Sequence, residues 1–253
     1  MRISIIGVGN MAHYIGERMR FMDLEFVEVM GRDPDKTAAF VQKYGGEARK
    51  TIAEMEAMVD IIVVAVKDDA IAECAEQVQN ISCKIIVHCS GTKSIDVLGD
   101  FSSKAVLWPI FSLNSNRNSP YPNKVPLAIE FQGGSSEKEM FLNFAHILSS
   151  VLYEMDVERR SLLHLAAVFS NNYIHHLMVI TEEFCEKYNL PFDALKPIIY
   201  QTTNQVDKTP LRDLQTGPAI RNDQKTLDRH MDILKEDHDL LALYQQFVKS
   251  IQK

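Results

Sequence analysis

A doubly wound, Rossmann-like parallel α/β sheet followed by an all-α C-terminal region is the fold class this sequence predicts, on three observations. Short apolar runs at 3–6, 25–30, 60–66 and 84–88 alternate with helical patterns, the mark of successive βαβ units. The first run breaks at Gly7-Val8-Gly9 and passes straight into a helical pattern. Beyond residue 156 nothing strand-like follows, and helical periodicity fills the remainder. The expected domains are therefore 1–156 and 157–253.

The first turn is the most informative. In Gly7-Val8-Gly9-Asn10-Met11-Ala12, Gly7 allows the sharp exit from the strand and Gly9 admits close approach of a pyrophosphate. Ala12 stands where a third glycine often stands, so that helix and strand pack closely. The pyrophosphate would rest on unpaired N–H groups at the positive end of the helix dipole.

The second strand, 25–30, ends in Gly31-Arg32-Asp33-Pro34. An acidic residue near this point bonds the ribose 2′-OH of NAD, whereas an Arg accommodates the 2′-phosphate of NADP. Arg32 supplies a fork of donors and Gly31 leaves room, which points to NADP. Asp33 before Pro34 reads as the N-cap of a helix over 34–44. A short strand at 47–48 and a small helix over 51–58 lead to 60–66, apolar on both faces as a central parallel strand is. That strand stops at Lys67-Asp68-Asp69, and the next, 84–88, stops at Cys89-Ser90-Gly91-Thr92. Gly7, Arg32, Lys67 and residues 88–92 thus all occupy carboxyl ends of strands, where ligands of such sheets bind. Further strands are expected at 105–108, 125–130 and 152–154, with a helix over 136–149. Residues 109–123, rich in Asn, Ser and Pro, read as a long functional loop of the lid type.

Residues 159–187 carry neither Pro nor Gly and read as one long helix, apolar nearly all round over 162–180 and so expected to be buried. His164, Val168, Asn171 and His175 share one face of it, a polar stripe that needs partners. His175 and His176 point about 100° apart, which makes them a poor metal pair, and no metal site is expected. A further helix runs to about residue 206. Thr216-Gly217-Pro218 turns the chain toward an N-cap at Asp223, and His230 falls on the same side of the helix that follows. A last amphipathic helix closes the chain.

Bulk properties exclude several classes. The chain has 253 residues, 46% hydrophobic and 24% charged, with a formal charge of −7 and no long basic run, which argues against a nucleic-acid surface. No apolar run is long enough for a bilayer span, so no membrane partner is expected. The N-terminal strand belongs to the fingerprint and so is not read as a signal peptide. Cys74, Cys83, Cys89 and Cys185 form neither a C-x-x-C pair nor a zinc spacing and read as reduced thiols of a cytoplasmic protein.

Together these motifs resemble the NADP-dependent oxidoreductases of the pyrroline-5-carboxylate reductase and 6-phosphogluconate dehydrogenase superfamily. The nearest likeness is to a bacterial subgroup with a Rossmann-like N-terminal domain and a helical C-terminal domain of unassigned function. The residues that carry it are Gly7 to Ala12, Gly31-Arg32, Ala65-Val66-Lys67-Asp68-Asp69, His88-Cys89-Ser90-Gly91-Thr92, the helix segment from His164 to Asn171, and Thr216-Gly217-Pro218-Ala219-Ile220-Arg221-Asn222-Asp223. The resemblance implies NADP(H) held by Gly7, Gly9, Asn10, Met11, Ala12, Gly31 and Arg32. It places the nicotinamide near Ala65, Val66, Lys67, Ser90 and Gly91. It also implies a substrate pocket between the domains facing His164 and Asn171, and a homodimer formed through the helical domains. Two positions depart from the pattern. Ala167 and Val168 stand where hydroxyacid dehydrogenases carry a catalytic Lys, and Arg221-Asn222-Asp223 replaces an Arg-Gly-Asp.

The expected chemistry is hydride transfer between NADPH and a small carbonyl or imine substrate. His164 is the candidate general acid, because imidazole titrates near neutral pH. Asn171 would orient the substrate, while Arg221 and His230 would bind its carboxylate. Two alternatives keep the fold: an NADP(H)-binding sensor or regulatory module without turnover, favoured by the missing helix Lys, and an NADP reductase whose second partner is a deazaflavin or flavin.

Overall fold

The computed structural model describes residues 1–20, 22, 24–55, 58–115, 121–122, 124–207 and 210–253. The chain separates into two compact units, Met1–Leu177 and Met178–Lys253.

The first unit is built on one eight-stranded sheet: β1 (Arg2–Ile6), β2 (Glu25–Met30), β3 (Glu47–Arg49), β4 (Val59–Val64), β5 (Cys83–His88), β6 (Lys104–Pro109), β7 (Leu127–Gln132) and β8 (Leu152–Glu154). Their spatial order is β3-β2-β1-β4-β5-β6-β7-β8. The first six follow the dinucleotide-fold order and are parallel, with the switch between β1 and β4. The expectation of a parallel sheet needs one amendment: β7 runs antiparallel to β6, and β8 then runs parallel to β7. The described residues between β6 and β7 form no helix, and a right-handed parallel crossover needs a covering element on the sheet face.

Helices α1 (Asn10–Met19), α2 (Pro34–Tyr44), α3 (Ile71–Val78) and α4 (Ser135–Leu148) connect the strands. The alternating side chains of β1, β4 and β5 divide between two cores. Ile3, Ile5, Ile61, Val63, Ile85 and Val87 join one, with α1 and α4, while Ile6, Ile62, Val64 and Ile86 join the other, with α3. Burial on both faces is why these strands read as unbroken apolar runs. Asp33 caps α2 through bonds from the N–H groups of Asp35 and Lys36, both 3.1 Å, with Pro34 at the first helical position.

The long helix is interrupted. It begins as α5 (Val157–Ala167), widens to a π-helical turn over Val168–Tyr173, and continues as α6 (Ile174–Lys187). The wider turn inserts a residue into the helical register, so the four-three-four spacing from His164 to His175 no longer defines a straight stripe. The helix is not buried as its composition predicts. Leu162, Leu165, Phe169 and Tyr173 are exposed, with no element among the described residues of the unit covering that side.

The second unit holds the end of α6, α7 (Lys196–Thr203), α8 (Gln224–Leu234) and α9 (His238–Ile251). Among the described residues no helix is long and apolar enough to cross a membrane.

Candidate functional site

The β1–α1 turn forms a cradle suited to a dinucleotide. Gly7 has φ +104°, a region side-chain-bearing residues avoid, and its N–H donates to the Met30 carbonyl at 2.7 Å. A Cβ there would collide with the Ala65 carbonyl oxygen, so Gly7 is fixed by both its conformation and its closeness to β4. Gly9, at the N-cap of α1, behaves differently: a Cβ on it would meet no protein atom. The space above Gly9 is therefore open, as a pyrophosphate requires. No side chain caps α1 and no acidic residue lies in its first turn, which leaves the N-terminal N–H groups available to an anion. Ala12 is fully buried under the sheet, and Met11 packs on the same core.

The Asn10 side chain is committed elsewhere. Its amide nitrogen donates to the Leu113 carbonyl at 3.0 Å, and its oxygen accepts from Ser115 N–H at 3.0 Å and the Ser115 hydroxyl at 2.8 Å. Farther along α1, Glu17 accepts from Tyr121 N–H at 2.9 Å and Arg18 donates to the Pro122 carbonyl. The loop after β6 is thus fastened to α1 on both sides of residues 116–120, which lie outside the described residues. What remains of Asn10 for a ligand is its backbone.

At the end of β2, the room beside Gly31 is taken by protein: a Cβ would strike Thr37 and Val8. Arg32 is exposed. The Asp33 carboxylate, by contrast, is engaged by the α2 backbone, which holds it below the usual carboxylate range.

Beyond β4 and β5 the chain forms a tightly bonded turn. Ala65 and Val66 are half-buried and Lys67 is exposed. The Asp68 carboxylate accepts from the hydroxyls of Ser90 (2.7 Å) and Thr92 (3.0 Å), and the Ser90 oxygen accepts from the N–H groups of Thr92 (3.2 Å) and Lys93 (3.1 Å). Ser90 accordingly shapes the turn with its hydroxyl and can offer a ligand only its backbone. Beneath the turn, His88 accepts the Ser90 N–H on Nδ1 at 3.1 Å. Burial first, then the nearby Arg160 charge, lowers this imidazole to about 4, so it is neutral at physiological pH. Burial pushes the Cys89 thiol up to about 12, which removes it as a thiolate nucleophile.

Gly91 is buried because an indole lies against it: a Cβ would sit 2.7 Å from Cε2 of Trp108. The same indole meets His164, with ring centroids 5.5 Å apart at 50°. The candidate acid therefore stands beside the turn expected to meet the nicotinamide, with Trp108 between them. Asn171 lies in the π turn and is exposed. Arg221 and His230 belong to the second unit. There His230 Nδ1 bonds the Tyr244 hydroxyl at 2.9 Å, and Asp223 caps α8 through Thr226. Asn222 adopts φ +51°, so the place of the usual glycine keeps its left-handed backbone.

Sequence reasoning did not find Trp108, Asp68 or Arg160 as site residues. Trp108 and Asp68 each sit at or just past the carboxyl end of a strand, a signal that was available. Nothing in the sequence marks Arg160, whose partners are remote.

Two family models match the chain. One, described as NADP oxidoreductase, coenzyme F420-dependent, covers residues 2–91. The other, a domain of unknown function (DUF2520), covers residues 125–251. A candidate NADP oxidoreductase from Bacteroides fragilis is similar at 29% identity and TM-score 0.89, over 99% of this chain and 97% of that one. A protein from Thermotoga maritima matches at 19% identity and TM-score 0.74, over 99% and 96%. A pyrroline-5-carboxylate reductase from Coxiella burnetii shares the fold at 16% identity and TM-score 0.59, over 99% and 98%. No curated protein matches the sequence.

Proposed function

The chain belongs to the family defined by the DUF2520 domain, and from that premise, with residues 2–91 matching an NADP oxidoreductase model, we propose that it reduces a small carbonyl or imine substrate with NADPH, as a relative of the pyrroline-5-carboxylate reductases. The observation that carries the cofactor choice is at the end of β2, where the Asp33 carboxylate is spent on capping α2 and the Arg32 side chain is exposed to meet a 2′-phosphate. The nucleotide supplies a hydride to the substrate carbon. Gly9 and the uncapped start of α1 receive its pyrophosphate, and the Gly91 turn flanks its nicotinamide.

His164 delivers the proton to the substrate oxygen or nitrogen, Asn171 orients that atom, and Arg221 with His230 binds a carboxylate on the substrate. The pairing of His230 with Tyr244 holds its ring for that task. The exposed apolar side chains of α5 and the π turn, Leu162, Leu165, Phe169 and Tyr173, support a homodimer in which a second copy covers them.

The test is a paired titration with NADPH and NADH, read through the emission of Trp108, the chain's one tryptophan. NADPH is expected to bind at least about tenfold tighter, equivalent to about 1.4 kcal/mol, and Arg32→Ala to remove the difference. Equal affinity for the two nucleotides would overturn the assignment. A second reading rests on the family model that names coenzyme F420: the hydride acceptor is a deazaflavin. Oxidation of NADPH by a deazaflavin, with none on a panel of ketones and cyclic imines, would select it. Tight binding with no turnover on either panel would leave an NADP(H) sensor.

A further inference from the structure

Arg160 has no role in the reading above, yet its guanidinium joins three parts of the first unit. The side chain is fully buried. It pairs with the Glu130 carboxylate on β7, donates to the Met155 carbonyl at 2.9 Å just before α5, and donates to the Lys93 carbonyl at 2.8 Å. Burying an arginine is costly, and a single carboxylate offsets that only when the remaining donors are also satisfied. Here the two terminal nitrogens reach that carboxylate and two backbone carbonyls of connecting segments, while the buried Nε has no partner among the described residues.

Lys93 closes the turn that contains Gly91. Its N–H is held from inside by the Ser90 hydroxyl, and its carbonyl from outside by Arg160. Arg160 also lies one helical turn before His164, so the two share a face of α5. Once the guanidinium is seated against β7, the rotation of α5 is fixed, and the next turn presents His164 to Trp108 over Gly91.

We infer that Arg160 is a positioning residue that locks the Gly91 turn and the His164 helix into one fixed arrangement, and so sets the nicotinamide end of the nucleotide site. This rests on the nucleotide reading above. It differs from a purely structural ion pair in one consequence. Loss of Arg160 should weaken ligands that reach the nicotinamide end and spare those that occupy only the adenosine end.

The experiment compares NADPH with 2′,5′-ADP, which carries the 2′-phosphate but no nicotinamide. Arg160→Lys keeps the charge near Glu130 but cannot span both carbonyls with a planar fork. It is expected to weaken NADPH at least tenfold while 2′,5′-ADP stays within twofold of wild type. The double variant Arg160→Met/Glu130→Leu removes both charges together, a replacement that buried ion pairs commonly tolerate, and it should show the same split while remaining folded by thermal melting. Wild-type NADPH affinity in either folded variant, or equal weakening of both ligands, overturns the inference. If the wild-type protein binds neither ligand, the nucleotide reading itself fails and the inference falls with it.

Discussion

The two units treat their apolar residues in opposite ways. In the first, β1, β4 and β5 bury nearly every apolar side chain, and Ile3, Ile5, Ile61, Ile62 and Val63 have no exposure at all. In the second, the buried apolar side chains are few, Cys185, Leu227 and Leu234 among them, while Ile198, Tyr200, Val206, Leu211 and Phe247 are exposed. A parallel strand has two neighbours and two covering faces supplied by its own βαβ connections, so its apolar residues are committed to the chain itself. A helix declares by its periodicity which side should be covered but not by what. Apolar periodicity therefore ends in self-packing in one unit and in exposed apolar side chains in the other.

Four predictions bear on this contrast, ordered by the largest effect each expects. Gly7→Ala combines a forbidden backbone angle with a collision against Ala65, and should cost on the order of 4 kcal/mol or abolish folding, as measured by urea denaturation. A mild phenotype would mean that the sheet can yield where it looks tightest. Next, Ile62→Ala should cost about 3 kcal/mol, whereas Ile198→Ala should cost about 0.5 kcal/mol or less in dilute protein. If Ile198→Ala proves as costly as Ile62→Ala, and the cost grows with protein concentration, a second copy is covering the helical surface.

The third concerns pH. His88 is held near 4 in the folded protein against an ordinary value of 6.5. The unfolded chain therefore takes up a proton first as pH falls. Stability from this group is complete above about pH 6.5 and is lost between there and about pH 4, by up to about 3 kcal/mol. His88→Gln, which can still accept the Ser90 N–H, should flatten that part of the stability-against-pH curve, and an unchanged slope would assign acid sensitivity to other groups. The fourth prediction concerns Gly217→Ala. Its φ is +113°, but a Cβ there would enter open space, so strain alone should cost about 1–2 kcal/mol in the same denaturation assay. Set beside Gly7→Ala, it separates backbone strain from close packing.

Much of the candidate site's local structure was legible because it is local. The Gly7–Ala12 turn, Arg32 and Asp33, and the turn after β5 each depend on a few consecutive residues whose backbone needs are written in their chemistry. The described residues after β6 were legible as a loop, but their attachment to Asn10 and Arg18 was not, since that pairs residues about a hundred positions apart. The turn of the long helix into π geometry carries no Pro or Gly to announce it.

The sequence by itself determined a doubly wound sheet, the approximate positions of its strands, and the candidate site residues that lie at their carboxyl ends, because apolar period and glycine placement act over short distances. The tertiary structure alone decided that β7 reverses, that Trp108 lies on Gly91 and against His164, and that Arg160 reaches Glu130 and Lys93. Each of those depends on which surfaces meet once the chain has folded back on itself. A side chain's type states what contact it requires, while only packing in three dimensions states which atom provides it.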